Sequence, residues 1–287
     1  MTDAVPSLLV DPALHLTTAA ALDPPQATGP GGLPWLVPGQ THEWFLANTC
    51  DAPRAGKGGY KNKSSWHPPL TLLASFAGQA TQQSPARRII WIGRNCWPTL
   101  QLLCAVTHAP VADSLRRSLF LDPLTDAERF WAIGQALRCP GIAAVVADGS
   151  GMNETVSRRL QLAAESGRSL DNDAGNGRGR GGNGGWVGGG AVGLLARPMK
   201  ERESPSWAAT RWQVHPASAD AGDRVPAWEI ELIGCRRQHR EQDAPLTWLA
   251  TWSYQVFRGT GALHLSPRVG LGTAATQQRS ATTGQTA

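Results

Sequence analysis

Ile142-Ala143-Ala144-Val145-Val146-Ala147-Asp148-Gly149-Ser150-Gly151 is the stretch that decides the fold. Its unbroken apolar run leaves neither face polar, which is what a strand covered on both sides in a parallel sheet requires. Asp148 and the glycines after it close the strand. Just upstream, Thr125-Asp126-Ala127-Glu128 has the spacing of a capping box, with Glu128 placed to close on Thr125. Phe130, Ile133 and Leu137 follow at helical intervals, and Cys139-Pro140-Gly141 ends the helix. Just downstream, Asn153 can cap a helix whose apolar side uses Val156, Leu160 and Ala164 and which is expected to end at Gly167.

The same alternation extends in both directions. Residues 87–93 form a short apolar strand ended by Gly93, and a helix follows from Pro98 to Thr107. Residues 118–121 form a second short strand, terminated by Asp122-Pro123, and residues 191–196 another buried one. Strand, helix, strand in repetition is the pattern of a parallel sheet wrapped by helices. Farther on, residues 208–214 and 227–232 alternate apolar with polar, which suits half-exposed antiparallel strands. The fold class is α/β: a mainly parallel sheet flanked by helices, with an antiparallel β extension and disordered termini.

Three composition breaks divide the chain. Residues 1–32 are short apolar runs cut by Pro24-Pro25 and Gly29-Pro30-Gly31-Gly32, and read as a flexible arm. A Gly-rich insertion at 169–190 interrupts the core at 33–235; ten glycines fall within 171–190, an entropic cost that makes this a surface loop. Residues 236–287 read as a partner-binding region followed by a tail, 266–287, too poor in large apolar residues to offset its ordering entropy.

The chain has 287 residues, enough for one or two domains. Its 27 Lys and Arg against 22 Asp and Glu give a net charge of +5, compatible with a nucleic-acid partner. Five cysteines at 50, 96, 104, 139 and 235 form no CxxC pair, which argues against a disulfide framework or a zinc ribbon. No apolar run of about 20 residues is present to cross a bilayer, and no signal peptide is visible. The expected setting is cytoplasmic, with reduced thiols and no membrane. Of the 12 tryptophans, Trp248 and Trp252 stand four apart and would share one helix face, suiting either core packing or a protein partner.

Asp148, at the end of a buried strand, is where a nucleotide-hydrolysing α/β protein would hold magnesium. Such a site also needs a Gly-rich loop ending in Lys and a hydroxyl residue, so that backbone N–H groups cradle phosphate. The nearest run is Arg54-Ala55-Gly56-Lys57-Gly58-Gly59, with Asp51 where the first glycine should stand and Gly58 in place of the hydroxyl. A carboxylate there repels phosphate. Lys57 and Asp148 are then either a vestigial nucleotide site, or a solvated basic loop and a strand-end Asp that caps its own turn; neither ATP nor magnesium is expected as a cofactor. No Ser/His/Asp constellation, paired His spacing or H-E-x-x-H motif suggests a catalytic residue or a metal. Arg236, Arg237 and Arg240 form a compact basic patch able to meet phosphate, or a partner together with Trp248 and Trp252.

The order of the pieces resembles the RecA recombinase family. Residues 33–45 are similar to the strand that leads into its phosphate loop, 88–92 to its next core strand, and 122–138 with 142–150 to its helix and acidic strand. Within that family the likeness is to the ImuA branch, carried by Trp91-Ile92-Gly93-Arg94-Asn95-Cys96-Trp97-Pro98, Trp131-Ala132-Ile133-Gly134-Gln135-Ala136-Leu137-Arg138 and Val145-Val146-Ala147-Asp148-Gly149-Ser150-Gly151. Residues 158–165 and 194–198 extend it, so that it spans roughly 33–235. The resemblance implies a RecA-like core and a role in SOS, damage-induced translesion synthesis. Its implied partners are an ImuB-like relative of the Y-family polymerases and an error-prone polymerase III alpha-type subunit, with RecA and single-stranded DNA as further contacts. Such a protein would be cytoplasmic and join the nucleoid after DNA damage. Without the phosphate loop the expectation is a non-catalytic adaptor; the alternative is a DNA-dependent ATPase with a degenerate loop.

Overall fold

A computed structural model describes residues 36–46, 66–174, 190–217, 226–236, 246–255 and 260–268. They form one nine-stranded sheet. The first strand, β1 (Thr41–Leu46), precedes helix α1 (Leu70–Gln83), strand β2 (Arg88–Ile92), helices α2 (Leu100–Thr107) and α3 (Val111–Arg116), and strand β3 (Ser118–Leu121). Helix α4 (Asp126–Arg138), strand β4 (Ile142–Asp148), helix α5 (Glu154–Ala174) and strand β5 (Val192–Pro198) follow. Strands β6 (Thr210–Ala217), β7 (Ala227–Cys235), β8 (Leu246–Gln255) and β9 (Thr260–Arg268) complete the order. Across the sheet the strands run β3-β2-β4-β5-β1-β6-β7-β8-β9. Every pairing from β3 to β6 is parallel, and β7 to β9 are antiparallel.

The expected capping box is present. Thr125 Oγ1 accepts the Glu128 N–H, and Glu128 Oε2 accepts the Thr125 N–H at 3.1 Å. Strand β4 is buried along its whole length, as its composition requires. Asn153 Oδ1 accepts the Val156 N–H at 2.9 Å and starts α5.

Four expectations need correction. Helix α5 does not stop at Gly167 but runs to Ala174, into the stretch read as insertion. Gly167 is there for closeness: a Cβ would collide with the Leu137 carbonyl at the end of α4. Strand β6 is antiparallel to β7, as expected, but on its other side it pairs parallel with β1 and is mostly buried, because the loop after β5 carries the chain past β1 to that strand's far edge. Trp248 and Trp252 lie on a strand, not a helix, and both rings are buried. Strand β9 reaches Arg268, inside the segment expected to be disordered. Residues 1–32 lie outside the described residues.

Two cores sandwich the sheet. Ile90, Ile92, Val145, Ala147 and Leu195 pack under α4 and α5. On the opposite side, α1 and α2 cover Trp44, Trp91, Trp212, Val146 and Leu194. Here the tryptophan excess finds its use. Trp44 stacks on Trp212 with ring centroids 5.4 Å apart, and Trp248 meets Trp212 edge-on at 5.6 Å, so a row of indoles carries the core from the parallel into the antiparallel strands.

Beside that row, Trp212 Nε1–H donates to Thr210 Oγ1 at 2.6 Å, and the Thr210 hydroxyl lies 2.7 Å from His42 Nδ1. His42 Nε2 lies 3.1 Å from the Val37 carbonyl, which can only accept. These directions assign the proton to Nε2, so that the Thr210 hydroxyl donates to Nδ1. Burial lowers the His42 pKa to about 4, the carbonyl of Val37 opposing it, and the ring is neutral.

Candidate functional site

Helices leave β2 and β4 toward opposite faces, α2 to one and α5 to the other, which makes the carboxyl ends of these neighbouring strands the switch point of the sheet. Asp148 ends β4 at this point. Its Oδ1 accepts the Ser150 N–H at 2.8 Å, a turn closed by the side chain two residues back. Its Oδ2 accepts from Asn95 Nδ2 at 3.4 Å. Gly93 lies against it at φ +85°, and a Cβ at that position would come within 2.9 Å of Asp148 Cβ. Only glycine gives the chain after β2 both that φ and that approach.

Arg129 on α4 closes the other side. Its Nη2 donates to the Ser150 carbonyl at 2.6 Å and pairs with Asp126 Oδ1 at 3.0 Å, while its Nε is buried without a hydrogen-bond partner. Beneath them Cys96 is fully buried. Burial first and the Asp148 carboxylate second push its thiol pKa well up, against the opposing pull of Arg129. That thiol is protonated and inert.

A RecA-like chain would be expected to carry ATP and magnesium at this end of the sheet. Among the described residues the surroundings of Asp148 favour a structural use over a metal: the residue is 6% exposed, one carboxylate oxygen closes a backbone turn and the other accepts from an amide. Among the described residues no group of three or more His, Cys, Asp or Glu is placed to hold a metal ion.

A second charged cluster lies under β1, β5 and β6. Glu43 Oε1 accepts from Arg197 Nη1 at 3.0 Å and Ser206 Oγ at 2.6 Å, and its Oε2 from Arg211 Nε at 3.1 Å. Arg197 also donates to the Met152 carbonyl at 2.8 Å and pairs with Glu201 at 3.1 Å. Glu201 in turn accepts the Gly151 N–H at 3.1 Å. The cluster thus ties the turn after β4 to the ends of β1 and β5. It balances two arginines against two glutamates, which is how buried charge is made tolerable.

The other residues singled out in the sequence fall apart in space. Lys57, Arg237 and Arg240 lie outside the described residues. Arg236 is exposed at the end of β7, with its guanidinium 4.5 Å from the Trp207 ring centroid. Trp248 and Trp252 are 7% and 8% exposed, so of the two uses open to them the rings take core packing. Asn95, Arg129, Glu43 and Arg197 were not identified from sequence. A Glu inside Thr41-His42-Glu43-Trp44-Phe45-Leu46 and an Arg closing Leu194-Leu195-Ala196-Arg197 are the only signals they leave.

No protein-family model matches the sequence, and no curated protein matches it. Among solved structures the chain is similar to the RadB recombinase, at 9% identity and a TM-score of 0.42, over 74% of this chain and 87% of that one. Among the described residues no helix is long and apolar enough to cross a membrane. Fold and strand-end geometry define an α/β protein with a doubly wound sheet, in which the Asp148 carboxylate closes the turn at Ser150.

Proposed function

We propose that this chain is a non-hydrolysing RecA-like adaptor in damage-induced translesion synthesis, as its resemblance to the ImuA branch implies. It docks onto an ImuB-like Y-family polymerase relative and an error-prone polymerase III alpha-type subunit, with RecA and single-stranded DNA as further contacts at the nucleoid. The observation that carries the reading is the state of Asp148. In a working nucleotide site this carboxylate serves a metal, whereas here both oxygens serve the protein: one closes the Ser150 turn and the other holds Asn95.

The alternative, a DNA-dependent ATPase, draws on topology. In sequence, residues 47–69, which contain Lys57, join β1 to α1, the order in which a phosphate loop occurs, and 47–65 lie outside the described residues. Asp51 and Gly58 weigh against it. The adaptor reading is tested by complementation. In a host lacking this gene, the chain should restore damage-induced mutation frequency and co-purify with the Y-family relative. Full mutagenesis without it, or no association with that partner, contradicts the proposal.

A further inference from the structure

Helix α1 is apolar nearly all round, yet Ser75, Gln79 and Gln82 stand at i, i+4 and i+7 and so share one face. That face meets the end of α2 and the β8–β9 hairpin across a cavity of about 100 Å³, open to solvent on one side. Gln79 lines it, and its Oε1 is buried without a hydrogen-bond partner, a state that costs free energy until a donor reaches it. From β8, Trp252 brings an indole to the same space. Gly261 of β9 lies against that ring, where a Cβ would collide with the indole. His108 ends α2 in the left-handed region, at φ 52°, and its Nε2 lies 3.0 Å from the Gly261 carbonyl, which ties the helix to the hairpin. Among the described residues no Asp, Glu, Lys or Arg lines the cavity, and it shares no residue with the Asp148 turn or the Glu43 cluster.

We propose that this cavity binds a small planar uncharged amide, one that carries an N–H beside its C=O. A dry apolar cavity of about 150 Å³ admits a benzene ring, so a small ring entering from the open side suits this one. The ring lies against the Trp252 indole while its N–H donates to Gln79 Oε1. The Gln79 side chain is itself an amide, so its donor and acceptor pair reciprocally with those of the ligand. An anion or cation would lose its hydration here and meet no counter-charge. Water answers the Gln79 oxygen but gains nothing from the indole, whereas a planar amide satisfies both. The site stands apart from the adaptor reading and holds whether or not the chain hydrolyses ATP.

The probe is α-pyridone, added to the full isotope-labelled chain while NMR follows the Trp252 indole N–H resonance, assigned with Trp252→Phe. A saturable shift in the millimolar range is expected. N-methyl-α-pyridone, in which the donor is blocked, should bind at least tenfold more weakly. Gln79→Leu removes the acceptor and should weaken binding by a similar factor. It should melt at or above the temperature of the parent, because the orphaned oxygen is gone as well. No saturable shift up to tens of millimolar overturns the proposal and leaves the cavity to water. Equal binding of the two pyridones, or undiminished binding by a folded Gln79→Leu chain, overturns it too. Should Gln79→Leu fail to fold, the two pyridones on the parent chain decide.

Discussion

Arg197 on β5 and Glu43 on β1 form an ion pair, Nη1 to Oε1 at 3.0 Å, in which neither side chain has exposed surface. Glu43 answers Arg211 as well, so removing its charge takes a carboxylate from two guanidiniums at once and leaves the wholly buried Arg197 with Glu201 as its remaining ion-pair partner among the described residues. Glu43→Ala should therefore destabilise the protein by roughly 3–5 kcal/mol, the usual cost of breaking a buried pair from one side. Urea unfolding of variant and parent measures it. A loss under about 1 kcal/mol, the range of exposed pairs, would mean the cluster is hydrated.

His42 makes stability depend on pH. Its folded pKa, about 4, lies below the ordinary 6.5, so between these values the unfolded chain binds the extra proton. The stabilisation is complete above pH 6.5 and is lost as pH falls toward 4, in total about 3 kcal/mol. In His42→Gln this share of the acid limb should vanish, so the difference from the parent shrinks as pH drops. A difference constant from pH 7 to 4 would contradict a neutral buried ring.

The antiparallel extension belongs to the folding unit. Deleting residues 236–287 removes β8 and β9 and strips Trp248 from the edge of Trp212. That truncated chain should aggregate or melt early. Trp248→Ala in the full chain should cost roughly 3–5 kcal/mol, as large-to-small changes in cores do. A soluble, cooperatively melting deletion would show that the row of indoles is dispensable.

Asp148→Asn should leave the protein folded and damage-induced mutagenesis intact, because an amide oxygen can still accept the Ser150 N–H. Asp148→Ala, which leaves that turn without its acceptor, should destabilise by about 1–3 kcal/mol. Loss of mutagenesis in a folded Asp148→Asn protein would return the carboxylate to a metal role.

What the sequence made legible follows from where its signals are local. The apolar run at 142–147, the Thr125–Glu128 box and the Asn153 cap each act over a few residues, and each stands where it was read. Helix α1 escaped because it is apolar nearly all round, with Leu72, Leu73, Ala74, Phe76 and Ala77 all buried and no side-chain cap at Pro69. Trp248 and Trp252 misled because residues four apart share a face on a helix and on a strand alike. The pairing of Glu43 with Arg197, 154 residues away, has no local trace. The surroundings of Asp148 were hidden for the same reason: Asn95 reaches its carboxylate, and Arg129 the Ser150 carbonyl beside it, only once β2 and α4 are in place.

The central claim is that the strand-end carboxylate serves the fold and not a nucleotide. ATP binding and turnover by the purified full chain, with and without single-stranded DNA, test it most directly. The account predicts no turnover above background in either condition. DNA-stimulated hydrolysis that disappears in Lys57→Ala and in Asp148→Asn would contradict it.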